Sequence, residues 1–254
     1  MRILITNDDG VHAHGLKVLE AIANKLGGEV YVVAPESDQS GVAHSLSLNN
    51  PMRLREVGPR RFAVQGTPTD CVIMGVRRLL LDTPPDLILS GVNRGQNVAE
   101  DVTYSGTIAA AMEGSLLGIP SIALSQAYGA GREKVEWDCA ATLGPQAIER
   151  VLAAGVPEGM LVNVNFPACP AAMTTGFAVT RQGRRDSELI QLEERHDGRG
   201  IPYYWLKFKR GGMEAEIGSD IEALAARKVS ITPLSLNLTD EATRARYAAL
   251  FASD

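Results

Sequence analysis

Strand-length apolar runs alternate with stretches of helical spacing along the first two-thirds of the chain. Ile3–Thr6 reads as a strand. Gly15–Leu26 reads as a helix, because Leu16, Leu19, Ile22, Ala23 and Leu26 recur on one face and Gly27-Gly28 stops it. Val30–Ala34 is continuous and β-branched, as a strand covered on both faces should be. Pro35 to Ser47 is a polar loop, and Met52–Glu56 with Arg61–Val64 reads as a short hairpin. Thr67 then caps a helix with Pro68 at its first position, and Cys71–Leu81 continues that helix. Leu87–Ser90 is a strand, followed by a loop over Gly91–Val102. Ser105–Leu117 is a helix of small residues that ends at Gly118. Ser121–Ser125, Trp137–Leu152 and Leu161–Asn165 read as strand, helix and strand. Such alternation predicts an α/β fold of Rossmann-like type, with a mainly parallel sheet and helices on both faces.

The character changes beyond Gln182. Gln182–Gly212 is charged and turn-rich, with strands expected at Glu188–Leu192 and Tyr203–Phe208 around Asp197-Gly198. This predicts an extended hairpin arm outside the core sheet. Val229–Leu234 reads as a returning strand, and Asp240–Phe251 as a last helix with its apolar positions on one side. With no repeats and no low-complexity linker, residues 1–254 read as a single domain with an arm at about 182–212 and a C-terminal helix at about 240–251.

Composition narrows the classes. The chain has 254 residues, 45% hydrophobic and 22% charged, which suits a globular domain. The net charge of −5 and the lack of any Lys/Arg-rich segment argue against binding of nucleic acid polymers. No apolar stretch reaches the roughly 20 residues needed to span a membrane. Asp8 and Asp9 break the first apolar run too early for a signal peptide. Cys71, Cys139 and Cys169 are odd in number and in no CxxC pattern, which fits a reducing, cytoplasmic location.

The candidate chemistry begins where the first strand stops, at Asn7-Asp8-Asp9-Gly10. Two adjacent carboxylates repel, and a divalent cation would let both stay ionised. Hard cations such as Mg²⁺ or Mn²⁺ take carboxylate, hydroxyl and amide oxygens. The same residues also read as a polar turn, with Asp8 or Asp9 capping the next helix. Further loops follow later strands: Ser37-Asp38-Gln39-Ser40-Gly41, then Ser90-Gly91-Val92-Asn93-Arg94-Gly95-Gln96-Asn97, then Tyr104-Ser105-Gly106-Thr107. In a doubly wound sheet such loops converge at one edge. Ser40 and Asn93 would there supply neutral oxygens to a metal on Asp8 and Asp9. Ser105-Gly106-Thr107 opens a helix, so it suits a phosphate, although Ser105 is equally a good N-cap.

Four segments in order, Ile5–Ala13, Gly66–Cys71, Ser90–Asn97 and Tyr104–Glu113, resemble the SurE family, the stationary-phase survival protein E nucleotidases. Asn163–Pro167 and Ile231–Leu234 extend the similarity over nearly the whole chain. The resemblance implies a metal-dependent phosphatase acting on nucleoside 5′- and 3′-monophosphates, and in some members on short polyphosphate. It implies one divalent ion per subunit on Asp8, Asp9, Ser40 and Asn93. It puts substrate on Asn93, Ser105, Gly106 and Thr107, with Asp8, Asp9 and Asn93 as the catalytic set. It implies a homodimer or homotetramer built through an exchanged C-terminal arm. The chain departs from the family at His14, where many members carry Pro, and Arg94 and Gln96 fill variable positions. No general acid is evident. His12 and His44 are the candidates by proximity. Two other classes also hold acidic residues after a first strand: covalent aspartyl phosphatases of the haloacid dehalogenase type, and non-catalytic receiver domains. The first carries Asp-x-Asp rather than Asp-Asp, and the second needs a further Asp after the third strand. A nucleotide-binding module without turnover is the remaining alternative.

Overall fold

The computed structural model describes residues 1–129, 135–185, 190–208 and 215–252. Nine strands form one sheet. In chain order they are β1 (Arg2–Thr6), β2 (Glu29–Pro35), β3 (Leu54–Gly58), β4 (Arg61–Val64), β5 (Leu87–Arg94), β6 (Ser121–Gln126), β7 (Met160–Phe166), β8 (Phe177–Val179) and, after the arm strands β9 (Ile190–His196) and β10 (Pro202–Phe208), β11 (Val229–Ser235). Across the sheet they run β3-β4-β2-β1-β5-β6-β7-β11-β8. All neighbours from β4 to β7 are parallel, whereas β3 and β11 meet β4 and β7 antiparallel.

The alternation of side chains along each strand divides the core into two layers. Ile3, Ile5, Leu87, Leu89, Ile122 and Leu124 face helices α1 (His14–Lys25) and, later in the chain, α4 (Asp138–Ala154). Leu4, Val33 and Ile88 face the opposite layer, which holds α2 (Pro68–Met74). On that same side α3 (Gly106–Leu116) sends Ile108 and Ala111 onto Ala123 and Leu161. Helices therefore cover both faces, as the apolar pattern predicts.

Several boundaries differ from the expected ones. The helix expected through Leu81 leaves α geometry at Met74 and continues as a π-helical turn over Gly75–Leu79. Gly75 lies so close to Leu4 that a Cβ there would stand 2.8 Å from its methyl, so the local path follows the packing against β1. The loop expected from Gly91 begins later, because β5 continues to Arg94 and pairs with β6 again at Asn93 and Arg94 after a register shift. A 3-10 turn, Ala99–Thr103, then leads to α3. Strand β8 and the short helix α5 (Asp220–Ala225) have no clear periodic signature in sequence. They are too short for periodicity to declare itself.

The arm forms as a separate two-stranded sheet, with Ile190 opposite Phe208 and His196 opposite Pro202. The first strand is described from Ile190. Asp186 and Glu188 lie outside the described residues, as does Gly212. Helix α6 (Glu241–Phe251) buries none of its residues.

Gly91 holds the bend that carries Asn93 to the sheet edge. Its φ is +131°, and a Cβ there would run into the carbonyl oxygen of Leu124. Gly91→Ala should therefore destabilise the protein by on the order of 1–3 kcal/mol. Thermal melts should show a drop of several degrees, and an unchanged Tm would contradict the tight approach of β5 to β6.

Candidate functional site

Strand β1 ends inside the sheet, so the side chains that follow it are poorly hydrated. Asp8 is only 4% exposed. Burial is the main cause that pushes its carboxyl from the ordinary 3.8 to about 7, with Asp9 and Asp38 adding to the rise. The opposing contribution comes from Thr107, whose hydroxyl donates to Asp8 Oδ1 at 2.5 Å. Asp9 is also raised, first by burial and then by Asp38, against the backbone N–H and charge of Arg94. That N–H reaches Asp9 Oδ2 at 3.3 Å.

Two loops close on this pair. Gln39 N–H donates to the Asp8 carbonyl at 2.8 Å, which sets Ser40 beside the end of β1. Ser40 points its hydroxyl at Asp38 Oδ1, 2.6 Å away, and its N–H reaches the same oxygen at 2.8 Å. Asn93 precedes Arg94 and so flanks Asp9; its amide donates to the Gly95 carbonyl at 3.0 Å. Asn7 is fully buried, donates to the Gly10 carbonyl, and leaves Oδ1 without a partner among the described residues.

Helix α3 starts directly over Asp8. A Cβ on Gly106 would lie 2.9 Å from the Asp8 Cβ and 3.1 Å from the Pro68 ring. Ser105 caps the helix, accepting from Ile108 N–H at 3.1 Å, so the N-cap reading of Ser105 is observed. The N–H groups of the helix's first residues have no intrahelical acceptor, and a helix end of this kind suits an anion. The sequence brings out Ser105-Gly106-Thr107 as a unit, but the structure divides their tasks. Ser105 serves the helix, Gly106 permits the close approach, and Thr107 serves Asp8.

The histidines separate. His12 is exposed on the loop that leaves β1. His44 Nε2 lies 3.1 Å from Glu113 Oε2 on α3. Seven residues at about 1.5 Å each put Glu113 roughly 10 Å from the start of α3. His44 therefore clasps the Ser40 loop to α3. His14 stacks at a tilt on Trp137, with ring centres 5.7 Å apart. A receiver arrangement would need a carboxylate on a strand beside β1, but neighbouring β5 ends in Asn93 and Arg94.

Asp8, Asp9, Ser40, Asn93 and the start of α3 thus meet at one carboxyl edge of the sheet. A family model described as Survival protein SurE matches residues 3–189. The chain belongs to the SurE family. It is 62% identical over 252 residues to a protein of Methylorubrum extorquens named 5′-nucleotidase SurE, covering 99% of both chains. A protein of the same name from Methylocella silvestris is 64% identical over 249 residues, 98% of each. The crystal structure of the SurE protein from Aquifex aeolicus superposes with a TM-score of 0.85 at 39% identity over the full length of both chains.

The electrostatic part of Asp38 and the hydroxyl bond from Thr107 escape sequence reading. Asp38 stands in the Ser40 loop, but only folding brings its charge near Asp8 and Asp9. The raised pKa of Asp8 has a thermodynamic sign. Between about pH 4 and 7 the unfolded chain gives up this proton while the folded chain keeps it, so stability falls as pH rises. In metal-free protein, Asp8→Asn should melt above wild type at pH 7.5, by a difference on the order of a few kcal/mol. That gap should shrink as pH falls toward 4. A gap independent of pH would show that Asp8 does not carry the strain.

Proposed function

We propose that this chain is a metal-dependent phosphatase that hydrolyses nucleoside 5′-monophosphates, and also 3′-monophosphates and short polyphosphate, to release inorganic phosphate. The carrying observation is the buried Asp8 carboxyl beneath the start of α3, next to a second carboxylate. Relatives more than 60% identical bear the name 5′-nucleotidase.

The donor set fits a hard divalent ion. Among the described residues no three His, Cys, Asp or Glu side chains are arranged to hold a metal. The candidate set instead combines two carboxylates, Asp8 and Asp9, with the neutral oxygens of Ser40 and Asn93. Oxygen-only donors favour Mg²⁺ or Mn²⁺ over softer metals, one ion per subunit. The strained carboxyls and the orphaned Asn7 oxygen support a cation here, since a positive charge would reverse the cost of burying Asp8. Such an ion, when bound, neutralises charge on the phosphoryl oxygens and makes water a stronger nucleophile.

The protein's own groups do the rest. The α3 N-terminus offers N–H donors fixed before the substrate arrives, so no reorganisation is needed as charge builds on the phosphate. Thr107 holds Asp8 in one orientation. Asn93 bridges from the acid pair toward the phosphate. His12 and His44 are the candidates to protonate the leaving alcohol, and His44 is tied to Glu113 on α3.

Chelation should abolish phosphate release from a nucleoside 5′-monophosphate, with Mn²⁺ or Mg²⁺ restoring it. Asp9→Asn should lose most turnover while keeping its circular dichroism. Inorganic phosphate should compete with substrate. Full turnover after exhaustive chelation would refute the metal, and affinity without phosphate release would leave a binding module.

The arm supports assembly with a second copy. Leu192, Tyr204, Trp205 and Leu206 are each more than half exposed, so the chain's own core does not cover them. A two-stranded ribbon is marginal alone in water. Exchange of an identical element is a low-cost route to a symmetric dimer, and two dimers can build a tetramer. Sedimentation should find a homodimer or homotetramer, weakened when the hairpin is replaced by a short Gly/Ser turn. A 27.2 kDa monomer at micromolar concentration would overturn this.

A further inference from the structure

The chain between Asn93 and Ser105 carries the end of β5 to the start of α3, and it is gripped on two sides. On the core side, Asn97 donates its backbone N–H to Asn165 at 2.8 Å and its amide to Ser125 at 2.8 Å. Its carbonyl accepts from Asn163 and Asn165. On the other side stand residues where the arm leaves the core. Asp220, fully buried at the start of α5, accepts from the backbone N–H groups of Ala99 at 3.0 Å, Gly183 at 2.9 Å and Ile221 at 2.8 Å. Arg185 donates its backbone N–H to Glu100 at 2.7 Å, and its guanidinium pairs with Asp101. Asp101 also accepts from Val98 N–H. Val98, Ala99 and Ile221 form a small apolar cluster against Leu224. Ala99 itself sits at φ +52°, a conformation a non-glycine residue keeps only when its surroundings enforce it.

We propose that Asp220 and Arg185 are positioning residues that set the phosphate-binding end of α3 through the Ala99–Thr103 turn, and that the root of the arm is thereby coupled to the site. This rests on the phosphatase reading above. Burying these ions is costly in desolvation, and apolar packing would hold a loop without that cost. Directed bonds from one carboxylate to both the turn and the arm root fix their relative orientation instead. Burial raises both Asp101 and Asp220, while Arg185 and the backbone donors work against the rise. Coupling of this kind is reciprocal, so phosphate bound at α3 must also steady residues 183–185.

The test uses the full chain with Arg185→Gln, Arg185→Lys and Asp220→Asn, followed by hydrogen exchange, kinetics and Mn²⁺ titration. Arg185→Gln should speed exchange in peptides covering residues 98–107 by about tenfold, with β1 and α1 unchanged. It should raise KM for a nucleoside 5′-monophosphate and Ki for inorganic phosphate about five- to tenfold, with kcat within about twofold and Mn²⁺ affinity preserved. Arg185→Lys should restore part of the loss. Inorganic phosphate with Mn²⁺ should slow exchange around residues 183–185 in wild type. Normal exchange over 98–107 in folded Arg185→Gln would overturn the proposal, as would faster exchange across the whole sheet. Should Asp220→Asn fail to fold, Arg185→Gln still decides. If wild type releases no phosphate, the phosphatase reading falls, and the exchange data alone still judge the clamp.

Discussion

Asp8 loses nearly all of its water where β1 ends, and the side-chain hydrogen bond that it accepts in compensation comes from Thr107, ninety-nine residues later in the chain. Much of the surrounding design follows from that contact. For the hydroxyl to reach, α3 has to begin almost on top of the carboxylate, and only glycine at position 106 allows it. The same approach sets the N–H groups at the start of α3, which have no intrahelical acceptor, beside Asp8. Burial alone makes an ionised carboxylate unfavourable there. A site that raises Asp8 while adding Asp9 and Asp38 nearby is consistent with the cation proposed above.

The sheet order explains how these parts meet. β1 lies between β2 and β5, so the loops after those strands flank its end. The loop after β2 brings Ser40 and the loop after β5 brings Asn93. Each is tied by a backbone bond to the acid pair, through Gln39 and Arg94. The Ser40 loop is held further out as well. His44 meets Glu113, and Ser47 donates to Asp70, which also closes the capping box of α2. A polar loop rich in small residues is thus made rigid by bonds to three different elements.

At the far side of the site, order comes from buried polar groups rather than from apolar area. Asn97, Asn163 and Asn165 satisfy one another beneath the turn that leads to α3, and Asp220 gathers three backbone donors above it. Groups buried in this way must be paired to be tolerated. Their pairing partners come from β6, β7, α5 and the arm root, which ties distant parts of the chain to one short connection.

The central strands, the helices α1, α3 and α4, the Thr67 cap and the hairpin arm were all legible in sequence, because each is announced by local periodicity or by capping chemistry. Adjacency of Asp8 and Asp9 likewise marks an electrostatic problem that no fold is needed to see. The sequence could not show that Ser105 serves its own helix while Thr107 serves Asp8, since both hydroxyls suit either task until the distance to β1 is fixed. Nor could it extend β5 through Gly91 to Asn93, because that path depends on the carbonyl of Leu124 in the next strand. The π turn after α2, the pairing of His44 with Glu113 and the burial of Asp220 are decisions of the same kind. Each depends on a contact between residues far apart in sequence, and desolvation, which sets the energy of every charged group here, exists only once those residues have closed around it.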